Sequence, residues 1–227
     1  MLRKFYQFWL QHINPHIITL IVTIGVVGLA SCFSIILILA WLFEEVLEKQ
    51  AFGFDTAWIY WVHGYTNPTL NAVMLTITQL ADASVVVVIV AVTLGILWWE
   101  HHRSEAKFFA LACLGALILN TGMKLVFAKP RPHIFPSLIP ETSFSFPSGH
   151  ALGGFVMYGF LAYLLSSHFP KFSKLIYSLA VVTIAAIGLS RIYIGVHWPT
   201  DIIAGYGVGY IWLMLCITML KLQTRQV

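Results

Sequence analysis

The chain has 227 residues, of which 59% are hydrophobic and only 10% charged, with a mean hydropathy of +0.84; soluble domains average about 25% charged residues. This excludes a soluble globular protein and points to a single integral membrane domain, without a linker, a low-complexity tract or an internal repeat. The formal net charge of +4 would suit nucleic acid or anionic lipid, but the chain contains no basic run of five residues, and membrane topology accounts better for where its basic residues lie.

Met1 to His16 sets Arg3 and Lys4 among aromatic residues and leucines, as in a short interfacial segment ending at Asn14-Pro15. The first predicted span is 17–43; its 27 residues would extend about 40 Å as a helix, more than the roughly 30 Å hydrocarbon core, so it must tilt or protrude. Within it, Leu29-Ala30-Ser31-Cys32 has the form of a lipoprotein processing box. However, the apolar run continues to Phe43, beyond the about 7 to 15 residues of a signal core, and a membrane span is the better reading. An acidic stretch, Glu44 to Asp55, leads into Trp58, Tyr60, Trp61 and Tyr65, residue types that favour the headgroup layer. The apolar stretch from Thr69 to Leu80 is too short to span and reads as a surface or re-entrant helix.

Further spans are predicted at 83–99 and 108–127, the latter ending before Lys129-Pro130. The segment from Lys129 to Pro147 holds Pro130, Pro132, Pro136, Pro140 and Pro147; such irregular backbone must lie outside the hydrocarbon or inside protein. Ser148 is a favourable N-cap for a span at 148–167, and spans at 175–189 and 202–220 complete an all-α bundle of six transmembrane helices. Gly205 and Gly209 suit close helix packing inside the bundle, with a dimer face as the alternative use of that spacing. Cys32, Cys113 and Cys216 all sit in apolar runs and read as packing residues, with no disulfide framework and no metal spacing.

Six spans put both termini on one side. That side carries Arg3, Lys4, Arg103, Lys107, Lys171, Lys174, Lys221 and Arg225, eight of the 13 lysines and arginines. The positive-inside rule therefore places the termini in the cytoplasm and the opposite end of the bundle at the outer face of the membrane.

Three patterns meet at that outer end: Lys124 followed by Arg131-Pro132, Pro147-Ser148-Gly149-His150, and Ser190-Arg191 followed by His197 and Asp201. Charged groups near hydrocarbon are costly, so their convergence points to chemistry. Arg131 and Arg191 offer planar forks to phosphate oxygens, and Lys124 adds a mobile charge. Ser148 and Gly149 open a helix whose N-terminus favours an anion. His197 can attack phosphorus while Asp201 fixes its tautomer, and His150 can protonate the leaving group. Pro199 between His197 and Asp201 implies that the two flank the first turn of the last helix. Two histidines and one aspartate could instead ligate a metal, but three neighbouring cations would repel it, so neither a metal nor a cofactor is implied at this site. A transporter lined by these charges would need polar residues at mid-span, where the chain is apolar.

These three patterns, with Lys124-x₆-Arg131-Pro132, Pro147-Ser148-Gly149-His150 and Ser190-Arg191-x₅-His197-x₃-Asp201 matched at every motif position, resemble the signature of the type 2 phosphatidic acid phosphatase superfamily, which also includes vanadium haloperoxidases. The resemblance covers Lys124 to Asp201. It implies a six-helix membrane lipid phosphatase with His197 as nucleophile, Asp201 as its partner and His150 as acid. It also implies a lipid phosphate as substrate, with phosphatidylglycerol phosphate or undecaprenyl pyrophosphate as the nearest types. Transfer of the phosphoryl group to an acceptor other than water remains open at this stage, and residues 1–123 carry no motif.

Overall fold

In a computed structural model of the chain, residues 14–48 and 53–225 are described, and every regular element among them is helical. The expected interfacial segment Met1 to His16 lies almost wholly outside those residues. In chain order the helices are α1 (Asn14–Leu47), α2 (Gly53–His63), α3 (Pro68–Gln79), α4 (Ala83–Trp99), α5 (Arg103–Phe127), α6 (Gly149–His168), α7 (Ser173–Tyr193) and α8 (Pro199–Arg225), with a 3₁₀ turn at Pro170–Phe172 leading into α7. Among the described residues, five helical segments are long and apolar enough to cross a membrane, and α3 with α4, bent by 41° at their junction, makes a sixth if the pair is one broken span.

Local chemistry explains the breaks. Helix α1 is interrupted at Gly25, whose φ of 79° and ψ of 159° are not helical and suit a residue without a Cβ. The apolar span then runs from Gly25 to Leu47, 23 residues or about 34 Å, closer to the hydrocarbon thickness than the long run counted from Ile17. Helix α3 starts at Pro68 behind the N-cap Asn67, whose side chain accepts the Leu70 N–H at 2.9 Å. With 17 residues, α4 alone measures about 25 Å, short of the core, and α3 would supply the missing length across the bend. Helix α5 stops where Ala128 turns left-handed at φ 43°, just before the proline-rich segment.

Helix α6 is the centre of the bundle, packed against α5, α7 and α8. Its Leu152, Val156 and Phe160 have no exposed surface and lie in one apolar core with Phe109, Ala112 and Cys216. Close approach of α8 to α6 depends on Gly205 and Gly209: a Cβ at Gly205 would come within 2.9 Å of the Ala151 Cβ, and one at Gly209 within 3.2 Å of the Leu152 carbonyl oxygen. The small-residue face is therefore used inside the bundle. Outward faces carry bare aliphatic side chains such as Val87, Leu117, Ile118 and Val181, as lipid-facing helices require. All three cysteines are free. Because successive long helices run antiparallel, the end of α5, the start of α6, the end of α7 and the start of α8 come together at one end of the bundle.

Candidate active site

At that end the turn between α7 and α8 sets the geometry. The Ile194 N–H donates to the Ser190 carbonyl at 2.9 Å and the Gly195 N–H to Ile192 at 3.0 Å. Gly195 then reverses the chain at φ 84°, a left-handed conformation that glycine adopts without a Cβ clash. The reversal leaves His197 just ahead of Pro199 and Asp201 in the first turn of α8, where its charge complements the helix dipole. His197 Nδ1 lies 3.1 Å from Asp201 Oδ2, which also accepts the Trp198 N–H at 2.9 Å and the Ser145 hydroxyl. Lys129 Nζ donates to Asp201 Oδ1 at 2.9 Å. Asp201 has no exposed surface and His197 only 2%, so the carboxylate is compensated entirely by protein donors.

This arrangement puts the proton of His197 on Nδ1 and leaves Nε2 as the free lone pair, facing Arg131 Nη1 at 3.4 Å. Burial, helped by the charges of Arg131 and Arg191 and opposed by Asp201, pushes the imidazole pKa down to about 4. The ring is neutral at physiological pH, the form a nucleophile needs.

Beside it, Arg131 and Arg191 grip the two ends of one carboxylate. Glu141 Oε2 lies 3.4 Å from Arg131 Nη2, and Glu141 Oε1 lies 2.5 Å from Arg191 Nη2. Burial alone would raise the Glu141 pKa, but the two guanidinium charges outweigh it and hold the carboxyl below its usual range. Two oxygens of an anion bridging two forks are the arrangement that phosphate recognition uses. Arg191 is 1% exposed, is anchored by donating to the Thr78 hydroxyl of α3 at 2.9 Å, and keeps a buried Nε without an acceptor among the described residues. Lys124 donates to the Ser143 hydroxyl at 3.3 Å and to the Phe144 carbonyl, which Arg131 also contacts. His150 Nε2 stands 3.5 Å from Arg191 Nη1 and 2.9 Å from Asp82 Oδ1.

The structure thus brings together His197, Asp201, Arg131, Arg191, His150 and Lys124. Ser148 joins them at the start of α6. It is fully buried, its hydroxyl oxygen accepts the Ala151 N–H at 3.4 Å as an N-cap, and its own N–H donates to the Asp201 carbonyl at 3.1 Å; the cap uses the hydroxyl only as an acceptor, so its O–H can still donate to an anion. Helix geometry leaves the N–H groups of Gly149 and His150 without intrahelical acceptors, so those two can still meet one. Gly149 also permits contact with Asn120, whose Oδ1 would lie 3.0 Å from an added Cβ.

Sequence reasoning missed Lys129, Glu141, Ser145, Asp82 and Asp55. Lys129 figured only as the residue after a predicted span, Glu141 and Ser145 lie in the proline-rich segment between motifs, and Asp82 and Asp55 lie outside every motif. Asp55, on α2, is 3% exposed and accepts the Thr200 N–H at 2.9 Å and the Thr200 hydroxyl at 2.7 Å. Lys129 in turn donates to Thr200 Oγ1 at 2.7 Å and lies 3.8 Å from Asp55 Oδ2. Asp55 therefore caps α8 across space and braces the lysine that holds Asp201.

A helical membrane bundle whose end holds an oriented neutral histidine beside a two-arginine anion seat is built as a membrane-bound phosphoryl-transfer enzyme. Residues 105–225 match the PAP2 superfamily. Phosphatidylglycerophosphatase B of Bacillus subtilis is 34% identical over 152 residues, 65% of this chain and 74% of that one, and an undecaprenyl-diphosphatase of Sulfolobus acidocaldarius is 30% identical over 178 residues, 76% and 82% of the two chains. The crystal structure of a transmembrane PAP2-type phosphatidylglycerolphosphate phosphatase from Bacillus subtilis superposes with a TM-score of 0.76 at 26% identity, over 87% of this chain and 97% of that one. The chain belongs to the PAP2 superfamily and is a membrane phosphatase.

Replacing Asp55 with Ala leaves the buried Thr200 donors and part of the Lys129 charge unmet, at a cost of about 1 to 3 kcal/mol. Thermal unfolding in detergent should show a lowered Tm, and kcat should fall with little change in KM because Asp201 loses its brace. Unchanged Tm and kcat would mean that Lys129 and Thr200 hold Asp201 unaided.

Proposed function

We propose that the chain hydrolyses lipid phosphates through a phosphohistidine on His197, with Asp201 as its orienting partner and His150 as acid and base. The observation that carries this reading is the buried His197, hydrogen-bonded at Nδ1 to Asp201 at 3.1 Å and presenting Nε2 to the arginine-lined seat. Substrate phosphate displaces the Glu141 carboxylate from Arg131 and Arg191, and the free Arg191 Nε supplies a further donor. Nε2 of His197 attacks phosphorus, the bond to the leaving oxygen breaks, and His150 gives its proton to that oxygen. Asp201 stabilises the imidazolium that forms. Water, losing a proton to His150, then attacks phosphorus, and the P–N bond breaks to release phosphate. Asp82, half-exposed beside His150, offers a path for that proton to solvent. Lys124, Arg131 and Arg191 compensate the charge on the equatorial oxygens, so no step calls for a metal.

As substrate we favour phosphatidylglycerol phosphate, followed by undecaprenyl pyrophosphate, on the strength of what the relatives are named for. The exposed Trp58, Tyr60 and Trp61 of α2 suit a headgroup boundary beside the seat, where an acyl or prenyl chain stays in lipid while its phosphate reaches His197. The basic residues Arg103, Lys107, Lys171, Lys174 and Lys221 gather at the opposite end, which supports cytoplasmic termini and a site on the outer face of a bacterial plasma membrane.

His197→Ala should abolish turnover, and Asp201→Asn should lower it by about 10⁴-fold. His150→Ala should lose about 10²- to 10⁴-fold and accumulate ³²P on His197 after exposure to labelled substrate. Turnover by His197→Ala at the wild-type rate would exclude the covalent route.

The depressed pKa of His197 also sets a pH dependence. A base whose pKa is lowered to about 4 stays neutral, and competent, at every pH above that value. Once the ionisation of the substrate phosphate near pH 6 is divided out, kcat/KM should show no loss from His197 until the pH falls toward 4. A limb at the free-imidazole value of about 6.5 that vanishes in His197 variants retaining partial activity, or that tracks ³²P labelling of His197, would contradict the buried, neutral assignment.

Each buried CH₂ contributes about 0.8 kcal/mol, so long-chain lipid phosphates should exceed glycerol phosphate in kcat/KM by orders of magnitude. Comparable values for the two would remove the lipid assignment and leave a membrane-bound phosphatase of small esters.

A further inference from the structure

At the end of the bundle opposite the anion seat, about 30 Å away along α5, three side chains converge without any part in the phosphatase chemistry. His102 precedes α5, Glu105 lies in its first turn, and His168 closes α6. One potential ligand atom from each falls within 4.8 Å of the others. The two imidazoles meet edge to face, with ring centroids 4.8 Å apart and the two Nε2 atoms 3.4 Å apart. Glu105 Oε2 lies 3.8 Å from His168 Nε2 and 3.9 Å from His102 Nδ1.

We propose that His102, Glu105 and His168 form a binding site for a divalent first-row transition ion such as Zn²⁺, which fastens the α4–α5 turn to the end of α6. Four features support it. Two imidazole nitrogens bound to one tetrahedral zinc at about 2.0 to 2.1 Å stand about 3.4 Å apart, which is the separation seen here. His168 Nδ1 is 2.9 Å from the Leu164 carbonyl oxygen; donating there places the lone pair of His168 on Nε2, the nitrogen that faces His102. Metal-ligating histidines are commonly oriented in this way, through the other ring nitrogen. Glu105 Oε2 is a buried atom with no hydrogen-bond partner among the described residues, whereas buried carboxylate oxygens are otherwise almost always satisfied; an ion between the three groups would supply the missing partner. Finally, two imidazoles with one carboxylate select zinc and its neighbours over Mg²⁺ or Ca²⁺, which prefer all-oxygen shells. Three protein ligands leave a fourth position for water, consistent with His102 and His168 standing at the surface.

The ion's role is structural. The α4–α5 turn is short and tight, with His101 at φ 63°, and Arg103 stacks over the Trp98 ring at 3.4 Å, so a ligand at His102 would fix how α5 leaves α4. His168 is followed directly by the 3₁₀ turn that leads into α7. One ion would join the α4–α5 turn to the turn that follows α6 through ligands from both.

The test uses the full chain in detergent, with any histidine tag removed, stripped with a chelator and dialysed against micromolar Zn²⁺. Elemental analysis should find about one zinc per chain, thermal unfolding should show a raised Tm, and Co²⁺ in place of Zn²⁺ should give a visible d–d absorption band. His168→Gln and Glu105→Gln, checked for monodispersity, should each lose the bound metal and the Tm rise, whereas His197→Ala and His150→Ala should keep both. No zinc above background in the wild type would overturn the proposal. So would stoichiometric zinc that persists in a His102→Gln/His168→Gln double variant, or zinc that disappears in His197→Ala, which would locate it in the anion seat.

Discussion

A fully buried carboxylate is the constraint on which the rest of the structure depends. Asp201 sits at the hydrocarbon boundary with no exposed surface, where an uncompensated charge would cost several kcal/mol. Its compensation comes from four donors, two of them distant in the sequence and two next to it: Lys129 from the proline-rich segment, Ser145 near the end of that segment, and, from the α7–α8 turn, the Trp198 N–H and His197 itself. To bring those donors together, the 128–148 segment must fold down over the start of α8. That same folding carries Arg131 and Glu141 to Arg191, so the anion seat is assembled by the contacts that make the buried aspartate tolerable.

The segments without motifs are held to the site by the same kind of demand. Asp55 of α2 answers the first donors of α8, and the Thr78 hydroxyl of α3 accepts a hydrogen bond from Arg191. Asp82, at the α3–α4 junction, pairs with His150. Each is a polar group that would be an unmet acceptor, or leave an unmet donor, if its helix moved away. The bend between α3 and α4 is what aims Thr78 and Asp82 at the site, so the broken helix pair and the chemistry are linked.

Helix α6 ties the two ends of the molecule together. Its N-terminus lies under the anion seat, its middle is the packed core against which α8 approaches through Gly205 and Gly209, and its last residue reaches the His102–Glu105 pair. A rigid apolar core between two polar ends lets each end be set independently: the end near His197 excludes water from a charged network, whereas the other carries the basic residues and the exposed imidazoles.

The membrane class, the helical architecture and the identity of His197, Asp201, His150, Lys124, Arg131 and Arg191 as site candidates were legible in the sequence, because hydrocarbon tolerates only satisfied backbone and makes each charge near it conspicuous. The relation of His197 to Asp201 was legible as well, since Pro199 fixes where α8 begins. What only the tertiary structure decided are relations across space. Glu141 carries a charge like any other until the fold sets it between two guanidiniums. Asp55 reads as part of an acidic stretch until α2 packs against the start of α8. Ser148 reads as an anion ligand by its position at a helix start; that its hydroxyl oxygen also caps α6 and its N–H holds the Asp201 carbonyl is visible only in the fold. Sequence spacing reports which groups share a helix turn; which distant group satisfies a buried donor depends on how helices pack, and that is fixed only when the whole bundle closes around its core.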